Sequence, residues 1–132
     1  GVKKATVHLY NSTSVAQRKI VFAKSKDEII KIALDGIDLV KKYEKDHDGE
    51  IFLEYSPESF TGTELEFAAK ICNKVTQRWG ISENRKVIIN LPSTVEMATP
   101  NIYADQIEWM SRHLDNRENI LISTHTHNDR GT

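Results

Sequence analysis

Four short runs of β-branched and aromatic residues, at 5–9, 51–55, 87–91 and 120–124, are separated by three stretches with helical periodicity. That alternation constrains the chain more than any other feature, because strands joined through helices run parallel. Each run has the length and composition of a strand. The helical stretches carry start signals. Ser25 and Glu28 have capping-box spacing ahead of Ile29, Ala33, Ile37 and Val40. Thr61 and Glu64 repeat it ahead of Leu65, Ala68, Cys72, Val75 and Trp79. Thr99 followed by Pro100 predicts an N-cap with proline at the first helical position, opening a helix through Tyr103, Ile107, Met110 and Leu114. The order is β-α-β-α-β-α-β.

Spacing narrows the choice of fold. A (β/α)₈ barrel allots roughly 31 residues to each unit, and the later strands start at 51, 87 and 120, which are 36 and 33 residues apart. The first interval is longer and must hold extra structure around residues 15–23. A doubly wound open sheet has similar spacing, but no glycine-rich phosphate loop supports its nucleotide-binding form. The expected class is therefore α/β, a partial (β/α)₈ TIM barrel of about four parallel strands. With 132 residues there is one domain, and a net charge of −1 gives no pull toward nucleic acid or an anionic membrane. No apolar run approaches membrane-span length. The single cysteine, Cys72, excludes an intrachain disulfide framework and fits a reducing compartment. The chain begins at Gly1 rather than methionine, so the natural N-terminus is expected to lie upstream.

Strand parity points to a site. Successive side chains face opposite ways, so Val7, Leu9, Leu53, Tyr55, Val87, Ile89, Ile120 and Ile122 share the face that helices would cover. The other face carries His8, Glu54, Ser56, Asn90, His125 and His127, with Thr6, Tyr10, Phe52, Ile88, Pro92, Leu121 and Ser123. A barrel interior is normally filled by bulky aliphatics, and buried polar groups cost several kcal/mol unless paired. These polar residues also fall late in the strands or just beyond, at the C-terminal face where parallel α/β folds place their sites. Ser, Thr, Asn and Pro there serve equally well as caps and turns, but that reading leaves the histidine pair unexplained. His125 and His127, two apart, project from one strand face, and imidazole suits a divalent transition ion. His47 in a charged turn and His113 near a helix end are expected to be solvated. Cys72 is expected to pack, and Trp79 and Trp109 to serve the core or an interface.

Longer strings carry a resemblance. Tyr55-Ser-Pro-Glu-Ser-Phe-Thr-Gly-Thr-Glu64, Ile89-Asn-Leu-Pro-Ser-Thr-Val-Glu-Met97, residues 103–109 and His125-Thr-His-Asn-Asp-Arg-Gly131 are similar to the long-form α-isopropylmalate synthases. Together they span nearly the whole chain. The resemblance implies a cytoplasmic acyltransferase (organellar if the parent is eukaryotic), homodimeric at full length, acting in leucine biosynthesis. Its reaction would be a Claisen-type condensation of acetyl-CoA with 2-oxoisovalerate, dependent on a divalent ion such as Mg, Mn or Zn. Carried over by position, His125 and His127 would be metal ligands and Thr94 would hold the oxo-acid carboxylate. His8, Ser56, Glu58, Asn90 and Pro92 would line the substrate pocket, with Glu58 also a proton-transfer group.

The chain also departs from that family. The Arg-Asp pair of the family's first barrel strand, a later asparagine ligand and the C-terminal leucine-sensing domain have no counterpart in residues 1–132. The expectation is thus a fragment of the catalytic barrel, 1–132, inactive alone. The competing readings are a related condensing enzyme, such as a homocitrate or citramalate synthase, and a self-associating half-barrel without catalysis.

Overall fold

A computed structural model describes residues 1–131. Four strands, β1 (Lys4–Ser12), β2 (Glu50–Glu58), β3 (Val87–Ser93) and β4 (Ile120–Thr126), pair in parallel in the order β1-β2-β3-β4. Between them lie α1 (Lys26–Glu44), α2 (Leu65–Trp79) and α3 (Pro100–His113). The strand order decides between the two parallel folds. A doubly wound sheet reverses direction at a switch point, whereas this one advances by a single strand at each crossover, as the wall of a (β/α)₈ barrel does.

One face of the sheet is covered. Leu53, Tyr55, Val87, Ile89, Leu91 and Ile120 form a continuous core with Ile29, Ala33 and Ile37 of α1, Phe67, Ile71, Cys72 and Val75 of α2, and Met110 of α3. The buried Tyr55 hydroxyl donates to Asn11 Oδ1 at 2.8 Å, so the core carries a satisfied phenol whose pKa burial raises. Burial likewise pushes the Cys72 thiol up, leaving it a small packing side chain. Trp79 is buried beneath the Arg85 guanidinium, 3.8 Å from the ring centroid.

Helix starts follow the local signals in two cases of three. Ser25 Oγ accepts from the Glu28 N–H at 3.3 Å, and Glu28 Oε2 accepts from the Ser25 N–H at 2.8 Å, completing the capping box. Thr99 is the N-cap of α3 with Pro100 behind it, although its side chain makes no capping bond. The expected box at Thr61 and Glu64 does not form. Residues Phe60–Gly62 make a 3₁₀ turn, the Thr61 hydroxyl donates to the Val95 carbonyl at 2.8 Å, and α2 starts only at Leu65. Glu64 is engaged elsewhere: Arg18 donates to both its oxygens, at 2.9 and 2.8 Å, and Lys26 Nζ lies 3.1 Å away. A bidentate guanidinium outcompetes a backbone N–H for a carboxylate.

Arg18 belongs to a π-helical segment, Gln17–Phe22, which is the extra structure in the long first interval. The arginine is buried; besides Glu64 it donates to the Thr13 carbonyl at 2.5 Å and covers the Phe67 ring. It ties the loop after β1 to the start of α2. The loop after β2 turns at Ser59, a non-glycine residue in the left-handed region with φ 59°. Two histidines behave differently from one another. His113 is exposed, stacked on Trp109 at 3.7 Å with Nδ1 2.7 Å from the Trp109 carbonyl. His47 is half-buried rather than fully solvated: the turn covers its Nε2, which has no hydrogen-bond partner among the described residues.

Pairing between β2 and β3 covers only Leu53–Tyr55 against Val87–Ile89, while β1–β2 and β3–β4 stay in register to Glu58 and Ser93. Pro57 and Pro92, neither with an N–H to give, stand just beyond the break. The sheet is open there, at its C-terminal edge.

The Arg18 hydrogen bonds hold the Glu64 carboxyl down to about 2 from 4.5. A depressed carboxylate contributes stability that is present above pH 4.5 and lost as pH falls toward 2. With Glu64 37% exposed, solvent screening cuts the contribution to about 1–2 kcal/mol. Urea unfolding of Glu64→Gln should therefore show a flatter stability profile than wild type between pH 4.5 and 2. Parallel profiles would place the acid sensitivity in other groups.

Candidate active site

A cleft of about 230 Å³ opens at that edge, lined by His8, Tyr10, Ser56, Glu58, Asn90, Pro92, Thr94, His125 and His127. All eight residues singled out from the sequence meet there. Period-two alternation explains why: Tyr10 stands opposite Ser56, and Pro92 opposite His125, on the face away from the helices.

The floor is a hydrogen-bonded chain across three strands. Asn90 Nδ2 donates to Ser56 Oγ at 2.8 Å, and Ser56 Oγ lies 2.7 Å from His8 Nε2. Since Ser56 accepts from Asn90, its own hydrogen is free for His8 Nε2 whenever that nitrogen is unprotonated. Ser56 and Asn90 are buried, whereas His8 is exposed on its cleft side, with Glu54 Oε1 3.9 Å away.

One wall comes from the loops after β2 and β3. Thr94 Oγ1 accepts the Ser59 N–H at 3.0 Å, which leaves its hydroxyl hydrogen for a ligand. Glu58 accepts from the Ser12 hydroxyl, from Ser59 Oγ at 3.1 Å and from Gln17 Nε2 at 3.3 Å.

The opposite wall is the histidine pair. His125 and His127 rings lie 5.0 Å apart between centroids, tilted by 44°. Two hydrogen bonds flank the histidine pair. Tyr103 of α3 donates its hydroxyl to the Leu91 carbonyl at 2.5 Å beside the His125 backbone, and burial raises its pKa. Beyond the strand, the Arg130 N–H donates to Glu96 Oε2 at 2.6 Å, holding the segment after His127 against the loop after β3. As a donor set the two imidazoles suit a divalent transition ion. No third His, Cys, Asp or Glu joins them among the described residues. Two imidazoles are compatible with such an ion, but a closed coordination shell needs further donors.

Two contributors escaped the sequence reading. Tyr10 shares the parity of His8, its ring 5.7 Å away, but an aromatic in a strand reads as ordinary packing. Gln17 lies in the π-helical segment, which leaves no periodic signature to place it.

Residues 2–132 match the HMGL-like family model, and the chain belongs to that family. Over its full length it is 62% identical to the 2-isopropylmalate synthases of Kineococcus radiotolerans and Clavibacter sepedonicus, and 58% identical to that of Clostridium acetobutylicum. It spans 23%, 23% and 24% of those proteins, about a quarter of each.

The floor network gives a direct prediction. Ser56→Ala removes the acceptor of a buried amide, so urea unfolding should show a loss of about 1–3 kcal/mol. An unchanged midpoint would mean that Asn90 has another acceptor.

Proposed function

We propose that the chain is part of the catalytic barrel of a 2-isopropylmalate synthase, condensing acetyl-CoA with 2-oxoisovalerate. The observation that carries the reading is the convergence of His125, His127, Thr94 and Glu58 on one cleft in a chain so similar to such synthases. The remaining strands, further metal ligands and a C-terminal regulatory domain would belong to the parts of the relatives that residues 1–132 do not span. The parent would be a cytoplasmic homodimer.

In this reading the residues divide the work. Thr94 donates its free hydroxyl hydrogen to the oxo-acid carboxylate. Ser56, Asn90 and His8 form the polar floor, and Pro92 with the Tyr10 ring offers apolar surface to the branched side chain. His125 and His127 would hold a divalent ion (Mg, Mn or Zn), which when bound supplies Lewis acidity at the ketone. Glu58 takes a proton from the acetyl methyl group, directly or through water. The resulting carbanion attacks the ketone carbon, forming the new C–C bond while the ketone oxygen gains a proton. Water then cleaves the thioester, releasing CoA and 2-isopropylmalate.

In the full-length protein, Thr94→Val should reduce kcat/KM for the oxo acid by the equivalent of about 1–3 kcal/mol, the loss of a hydrogen bond to a charged group. An unaltered value would make Thr94 a turn residue only. His125→Ala and His127→Ala should each weaken divalent-ion binding in calorimetry, and retained affinity would remove them from the ligand set. Preference for 2-oxoglutarate or pyruvate over 2-oxoisovalerate would assign a different condensation.

A further inference from the structure

Glu58 ends β2, and its carboxylate has three donors. The Ser12 hydroxyl and Gln17 Nε2, at 3.3 Å, both reach Oε2, while Ser59 Oγ reaches Oε1 at 3.1 Å. A carboxylate offers roughly four lone-pair directions, so about one remains for a proton arriving from the cleft. Serine hydroxyls rotate to suit whatever acceptor they find. A glutamine amide does not, and what fixes it is therefore informative.

Gln17 is fixed at both ends. Its Oε1 accepts from Ser14 Oγ at 2.8 Å, and its own N–H donates back to Ser14 Oγ at 3.3 Å. With Oε1 occupied by a hydroxyl donor, the amide turns its NH₂ toward Glu58. A flipped amide would set two oxygens against each other. The backbone beneath is held as firmly, because Arg18, the next residue, is buried and bound to the Thr13 carbonyl and to Glu64. π-Helical turns interrupt regular structure and recur at functional sites. Here the turn carries one side chain toward the cleft's carboxylate and anchors the next in the protein.

We propose that Gln17 is a positioning residue for Glu58: the Ser14–Gln17 pair of the π-helical segment aims the Glu58 carboxylate so that its remaining lone pair faces the proton it removes. This rests on the reading of Glu58 as the proton-transfer group. Gln17 itself touches no substrate. Its loss leaves both substrates bound and slows the step in which the methyl C–H bond breaks.

The test uses the full-length enzyme, with kcat, both KM values and the primary isotope effect on kcat for acetyl-CoA deuterated at the methyl group. Gln17→Leu should lower kcat on the order of tenfold, a modest case of the losses that small misplacements cause. Both KM values should stay within about twofold of wild type, as expected for interactions made only in the transition state. The isotope effect should rise, because proton removal becomes more rate-limiting. Ser14→Ala should act in the same direction but more weakly, since it frees the amide to turn without removing it, and it preserves the falsifiability if Gln17→Leu unfolds. A kcat loss with an unmoved isotope effect in both variants would make the pair merely structural and overturn the inference. Glu58→Gln separates the inference from the reading beneath it. If Glu58→Gln is impaired while Gln17→Leu and Ser14→Ala match wild type, only the positioning role falls. If Glu58→Gln matches wild type, the proton-transfer reading falls, and the inference with it.

Discussion

A parallel sheet covered by helices on one side has to sort its side chains by parity, and everything at the cleft depends on that sorting. Leu53, Tyr55, Ile89 and Leu91 are locked under α1 and α2, which fixes the rotation of β2 and β3 about their own axes. The neighbours Ser56, Asn90 and Pro92 then have no choice but the opposite face. A slip of one residue would turn Glu54 and Ser56 of β2, or Asn90 of β3, toward the helices and take Leu53 and Tyr55, or Ile89 and Leu91, out of the core. The core thus positions the cleft residues without touching them.

What parity cannot supply is the aim of side chains beyond the strand ends, and the loops do this through a few long-range bonds. Arg18 joins the loop after β1 to the start of α2, the Ser59 N–H joins the loop after β2 to Thr94, and the Arg130 N–H joins the end of β4 to Glu96. Each pins one loop to another over a long stretch of sequence. The break in the β2–β3 ladder gives these loops room, since prolines remove donors where ladder bonds would otherwise close the edge.

Most of this was legible from residue order alone. The strands, the two faces, the Ser25 box and the Thr99–Pro100 start follow from period and composition, which act locally. So does the convergence of His125 with His127, one residue past the end of β4, because residues two apart in extended chain share a face without tertiary information. The failures share a physical cause. Thr61 and Glu64 have capping-box spacing, but a buried guanidinium far away in sequence claims the carboxylate. His47 sits in a charged stretch, and its Nε2 is still covered by a turn whose path the local composition does not set. Gln17 and Arg18 lie in a π-helical segment, for which neither the 3.6 nor the 2.0 period is a guide. Tyr10 falls on the expected face, but parity alone does not separate a strand aromatic that packs from one that lines a cleft.

Ser59 turns the chain after β2 with its backbone in the left-handed region, at φ 59°. For a residue with a Cβ that conformation costs about 1–2 kcal/mol, and glycine would avoid it. Yet the hydroxyl that glycine lacks is one of the three donors on Glu58. Here the more comfortable backbone and the third donor to the carboxylate exclude one another. At this turn, one side chain sets backbone ease against the hydrogen bonding of the cleft's carboxylate.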